Sequence, residues 1–126
     1  ELRDYKFHCL NGEPRMLVIM SNRYSKDGKH NFNAFDMDFK PLKTHFGGNG
    51  YSPSDEDFKR PVCFEEMKVL ARKLSSGIPF VRVDFYCIRG KIYFGELTFY
   101  PTSGLDNQSS DEWDLEFGSR LDLKLA

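Results

Sequence analysis

The sequence predicts an α+β fold, an antiparallel sheet of about five strands with one main helix packed on one face. Three patterns lead to it. Residues 4–10, Asp-Tyr-Lys-Phe-His-Cys-Leu, alternate in polarity as a strand with one face on a core does. Within 63–76, Phe64, Met67, Leu70, Ala71 and Leu74 fall instead on one helical stripe. Residues 80–100 form two runs rich in β-branched and aromatic residues about Gly90, which reads as an antiparallel hairpin.

In chain order, the first strand presents Tyr5, Phe7 and Cys9 on one side and Lys6 and His8 on the other. Asn11-Gly12-Glu13-Pro14 reads as a turn, and residues 15–23 as the returning strand. A polar loop over 25–30 leads to a third strand over 31–39, completing a meander. Asp36 and Asp38 with His30 fit no metal geometry and read as solvated strand acids. Between 40 and 61 the composition turns to Lys, Gly, Ser, Asp and Pro, the mark of a functional loop or of disorder. Its Gly47-Gly48-Asn49-Gly50 centre lacks the spacing and the following Lys-Ser/Thr of a phosphate-binding loop. The helix over 63–76 carries Glu65 and Glu66 in its first turn and Arg72 and Lys73 in its last, matching the helix dipole, and Gly77 and Pro79 end it. After the hairpin, Pro101-Thr-Ser-Gly104 is a turn, residues 106–111 a polar linker, and residues 111–118 a short helix with Trp113 and Phe117 on the core. Leu121, Leu123 and Leu125 alternate, as in an edge strand or the start of a further element.

Bulk properties narrow the function classes. The 126 residues suit one domain, and 18 basic against 19 acidic residues give a net charge of -1, so nothing electrostatic points to nucleic acid or an anionic membrane. No apolar run reaches spanning length and no signal-peptide pattern is present. Cys9, Cys63 and Cys87 are odd in number and match no zinc spacing; Cys9 and Cys87 read as small apolar strand residues, and reduced thiols suit a cytoplasmic setting.

Each hairpin strand carries one acid among apolar neighbours, Asp84 and Glu96. Whether they share a face depends on the turn. A two-residue Arg89-Gly90 turn sets 84 opposite 95 and sends Glu96 through the other face. A bulged three-residue loop, Ile88-Arg89-Gly90, sets 82 opposite 96 and brings Arg82, Asp84, Phe94, Glu96 and Thr98 onto one face. In that case the two acids lie within reach of one hard cation. The Arg-Gly dipeptide fits both turns, and two solvated acids on an open face are an equal reading of the residues alone.

Arg82-Val-Asp84-Phe, Phe94-Gly-Glu96-Leu-Thr98 and Pro101-Thr-Ser-Gly104 resemble the end of an ATP-grasp fold, and more closely its TupA-like branch, named for teichuronopeptide biosynthesis. The likeness also takes in Asp4-Tyr-Lys-Phe7 with Asn11-Gly12, the helix before Gly77, and Trp113-Asp114 with Phe117-Gly118. It implies the three-residue loop, with Asp84 and Glu96 as magnesium ligands beside the phosphates of ATP. Thr98 stands where the wider superfamily usually has Asn, so it enters the metal set as a hydroxyl in place of an amide. Arg82 would steady phosphate or an acyl phosphate as the catalytic cation. Lys6 would contact phosphate, Lys40 and Lys43 would belong to a loop closing over the triphosphate, and Ser103 would hold an anionic intermediate.

The activity implied is ATP- and magnesium-dependent joining of a carboxylate to an amine through an acyl phosphate, in cytoplasmic assembly of cell-surface polysaccharide. Substrates would be a nucleotide with small-molecule or glycan-linked carboxylates and amines. The chain has no initiator Met, and residues 1–126 correspond to the C-terminal subdomain of the ATP-grasp fold; the expectation is a piece of a longer chain, inactive in isolation. Two other readings stand beside it: a non-catalytic binding or assembly module of a surface-polysaccharide system, and a sugar-binding sheet using Tyr86, Tyr93 and Tyr100 as platforms.

Overall fold

The computed structural model of the chain describes residues 2–21, 30–42, 51–52, 58–101 and 110–123. Its strands are β1 (Asp4–Leu10), β2 (Glu13–Ser21), β3 (His30–Phe35), β4 (Tyr51–Ser52), β5 (Phe80–Ile88) and β6 (Lys91–Thr98), with helices α1 (Phe64–Ser75) and α2 (Asp111–Gly118). They form one sheet in the order β4-β3-β2-β1-β5-β6. The five longer strands pair antiparallel, as expected, and the two-residue β4 adds a short parallel edge to β3.

One face is the main core. The alternation of β1 buries Phe7 and Cys9 there, joined by Leu17 and Ile19 of β2 and Val81, Val83 and Phe85 of β5. The helix α1 lies on them through Phe64, Met67 and Ala71, all fully buried, with Leu70 packed at the margin. Ser75, four residues after Ala71, takes the place on the buried stripe that the pattern predicts for Leu74, which is exposed, and Gly77 then turns the chain at φ +76°. Phe35 and Phe39 stack with ring centroids 4.2 Å apart and extend this core past β3.

The other face is divided. Met16 and Val18 of β2 and Ala34 of β3 meet Trp113 of α2, with Met20, Phe32 and Phe117 around them. This bears out the expected short helix with Trp113 and Phe117 turned inward. Ser110 caps it, its Oγ accepting from the Trp113 amide at 3.2 Å. Beyond α2 the chain runs irregularly through 121–123 and is tied back by Asn11; Leu125, the last of the alternating leucines, lies outside the described residues. The Asn11 side chain donates to the Asp122 carbonyl at 2.6 Å and accepts from the Asp122 amide at 2.7 Å.

Three local expectations are corrected. The first hairpin turns on Asn11-Gly12 alone, both at positive φ (50° and 81°), so Glu13 and Pro14 already belong to β2. Strand β3 stops at Phe35 because Asp36 Oδ1 accepts from the amides of Asp38 and Lys40, both at 2.9 Å, and folds the chain back. Cys87 is no free apolar residue: it forms a disulfide with Cys63, with Cα atoms 6.4 Å apart, pinning the end of β5 to the start of α1, so the reduced thiols read as suiting a cytoplasmic setting are overturned for this pair. Cys9 is free and buried, and burial lifts its thiol to a pKa of about 11.

Candidate functional site

The site is built by register. Lys6 on β1 pairs with Asp84 on β5, and Asp84 pairs with Glu96 on β6; one step along, His8 pairs with Arg82 and Arg82 with Thr98. Neighbours across a ladder share a face, so these side chains gather on the face opposite α1. The hairpin achieves this by neither route weighed from sequence. Its turn is the two-residue Arg89-Gly90 at φ 52° and 77°, with Ile88 opposite Lys91, so the three-residue loop is overturned. A bulge between Asp84 and Phe85 then takes up Gly95 as the extra residue and returns Glu96 to the face of Asp84. Glycine fits that place without displacing its neighbours, since a Cβ there would stand 3.0 Å from the Asp84 carbonyl oxygen and 3.3 Å from the Tyr86 ring.

Asp84 is the hub. Its Oδ2 accepts from Lys6 Nζ at 2.6 Å and from Arg82 Nη2 at 2.9 Å, and its Oδ1 from Arg82 Nε at 2.8 Å. The same Arg82 Nη2 reaches Glu96 Oε1 at 2.9 Å and Thr98 Oγ1 at 3.2 Å, while Thr98 donates to Glu96 Oε1 at 3.0 Å. A second acid, Asp4, stands 3.9 Å from Lys6 Nζ. The inner groups are nearly enclosed, with side-chain exposures of 3% for Asp4, 6% for Asp84 and 15% for Lys6, whereas Glu96 is 61% exposed. A groove of about 250 Å³ beside them is lined by Asp4, Lys6, Asp84, Tyr86, Phe94, Gly95 and Glu96.

His8 closes the cluster on its apolar side, its ring 6.1 Å from that of Phe80 and 6.5 Å from that of Phe117. Burial, then the nearby Arg82 and Lys6 cations, lower its pKa to about 3. The ring is therefore neutral at physiological pH.

The structure thus brings together five residues singled out from sequence: Lys6, Arg82, Asp84, Glu96 and Thr98. Lys40 stands exposed in the turn after β3 and takes no part in the cluster's hydrogen bonds; Lys43 and Ser103 lie outside the described residues. Sequence reading missed Asp4 and Gly95. The alternation that puts Lys6 on this face puts Asp4 there too, so Asp4 was legible; the bulge at Gly95 leaves no periodic trace.

Two carboxylates and a hydroxyl facing one another form an oxygen-only donor set of the kind hard cations take, with the remaining ligands left to phosphate or water. Asp84 and Glu96 are a pair and not a closed cage: among the described residues no group of three or more His, Cys, Asp or Glu has the arrangement to hold a metal by itself. The residues fit magnesium bound jointly with a phosphate ligand, provided Lys6 and Arg82 release the Asp84 oxygens they now hold.

Fold and site together define an α+β sheet protein with an acid pair on the open part of one face, bridged by Arg82 and with Lys6 on Asp84. The sequence model of the TupA-like ATPgrasp family matches residues 1–122, and the chain belongs to that family. No curated protein and no solved structure matches it. Membership suggests an ATP-dependent ligase acting on small-molecule substrates. Among the described residues no helix is long and apolar enough to cross a membrane.

Proposed function

We propose that this chain supplies the metal- and phosphate-facing half of an ATP- and magnesium-dependent carboxylate–amine ligase in cytoplasmic cell-surface polysaccharide assembly. In that reading residues 1–126 are the C-terminal ATP-grasp subdomain of a longer enzyme and are inactive alone. The observation that carries it is the β5–β6 register, which sets Asp84 opposite Glu96 with Arg82 and Lys6 on the same face.

When bound, magnesium and ATP supply the transferable phosphoryl group and part of the neutralisation of its charge. Asp84 and Glu96 are the residues to hold the metal, with the Thr98 hydroxyl beside Glu96. Lys6 and Arg82 turn to phosphate oxygens, and the planar fork of Arg82 suits two oxygens at once. The phosphoryl group passes to the substrate carboxylate and ADP leaves; the amine then attacks the acyl carbon, loses a proton and expels phosphate. The protein's part in the first step is alignment and charge stabilisation, which is what phosphoryl transfer asks of side chains. Lys40 and Lys43 are assigned to a loop over the triphosphate and Ser103 to the acyl phosphate by their places in the family order.

A second reading draws on the same geometry. Asp84 is already satisfied by protein cations, and Thr98 replaces the superfamily's usual amide, which suits a binding or assembly module without catalysis. Calorimetric titration of a non-hydrolysable ATP analogue with magnesium, beside Asp84→Asn and Glu96→Gln, separates the two. Magnesium-dependent binding lost in both variants is expected for the ligase half; binding indifferent to both, or none to a folded chain, leaves the module.

A further inference from the structure

The cluster is occupied by its own cations, and that sets the order in which ligands enter. Both Asp84 oxygens accept charge-assisted hydrogen bonds, three in all, from Lys6 and Arg82. Arg82 also holds Glu96 Oε1, so one guanidinium sits astride both acids. A divalent ion approaching either acid meets positive charge already within hydrogen-bond distance of the oxygens it needs. A polyphosphate changes this, because its oxygens give Lys6 and Arg82 an alternative anion as the metal arrives.

We infer that Lys6 and Arg82 are built-in counterions that keep a divalent cation off Asp84 until a polyphosphate draws them away, so that metal and phosphate load this site together. The inference rests on the nucleotide reading above and adds a coupling between the two ligands, which by linkage is equal in both directions. Arg82 holds both acids and Lys6 only Asp84, so losing Arg82 opens the metal site further.

The test is manganese binding to this chain, followed by water-proton relaxation, which separates protein-bound manganese from the ion held by free nucleotide. Wild type with manganese alone is expected to bind at least tenfold more weakly than Arg82→Met, with Lys6→Met between them. Adding Glu96→Gln to Arg82→Met should cancel the gain, which places the metal at this cluster. Wild type with manganese and a non-hydrolysable ATP analogue should form a ternary complex. Thermal melts check folding, and if Arg82→Met does not fold, Lys6→Met decides. Wild type binding manganese alone as tightly as the variants overturns the counterion role, as does a gain that survives Glu96→Gln. A ternary complex alongside variants no tighter than wild type overturns that role and leaves the nucleotide reading standing. Tighter variants without a ternary complex sink the nucleotide reading, and the counterions then guard a metal site alone. No binding in any arm overturns both.

Discussion

The face of the sheet opposite α1 has two halves on one backbone lattice. Across β2 and β3, Met16, Val18 and Ala34 are roofed by Trp113 of α2; across β1, β5 and β6, positions of the same parity carry Lys6, Arg82, Asp84, Glu96 and Thr98. The apolar half is closed chiefly by burying surface. The charged half is held by a few directional bonds, each of which would be costly to leave unmade. From this it follows that the first half should tolerate shape changes in proportion to volume lost, while the second should respond to the displacement of single atoms.

The largest expected break is on the apolar side. Trp113→Ala removes the one fully inward side chain of α2 and should lower stability by about 3–4 kcal/mol. Denaturant unfolding measures this, and manganese binding at the charged half should survive it below the transition. The charged half is anchored differently, pinned from behind by Cys63–Cys87. Cys63→Ser, or reduction of the wild type, should cost about 3 kcal/mol on the chain-entropy account for a bridge spanning 24 residues. An unchanged melting temperature under reductant would show that the bond carries no such role. Next comes Gly95→Ala, expected to cost about 1–2 kcal/mol as the added methyl presses on the Asp84 carbonyl and the Tyr86 ring. Its sharper signature is weaker metal-dependent binding, because the bulge alone keeps Glu96 opposite Asp84.

The remaining effect depends on pH and lies on the boundary. His8 touches Phe117 of the apolar half and faces Arg82 of the charged one. Its folded pKa of about 3 lies below the usual imidazole value of 6.5, so the unfolded chain takes up a proton that the folded ring refuses. That contribution is fully present above pH 6.5 and is lost as pH falls toward 3, with a slope of at most about 1.4 kcal/mol per pH unit. Stability measured from pH 6.5 to 5 should fall more steeply in wild type than in His8→Phe; equal slopes would mean that the ring is freely protonated in the fold.

Periodicity made most of the scaffold legible. Alternation in β1 placed Phe7 and Lys6 on opposite faces, and the stripe of α1 needed only Ser75 in place of Leu74. What escaped were features without a period. A bulge adds one residue and reverses every later side chain, so Asp84 and Glu96 share a face although the turn is two residues long. The Cys63–Cys87 bond escaped because an odd cysteine count offers no pairing rule and the helix–strand contact that brings them together is tertiary. Lys40 was placed by family order alone, and in the structure it belongs to the turn that Asp36 organises.

One row of register, Ala34–Val18–Lys6–Asp84–Glu96, crosses five strands from oil to water. Its dielectric surroundings change along those strands: Lys6 has a hydrocarbon wall on one side, while Glu96 stands 61% exposed. Field lines from the buried charges are weakly accommodated on the apolar side and so emerge through the groove by Glu96. Added salt should therefore mute the outer acid, within reach of mobile ions, and leave the Lys6–Asp84 pair almost untouched. Ionic strength becomes a ruler laid across the sheet, reading depth as insensitivity.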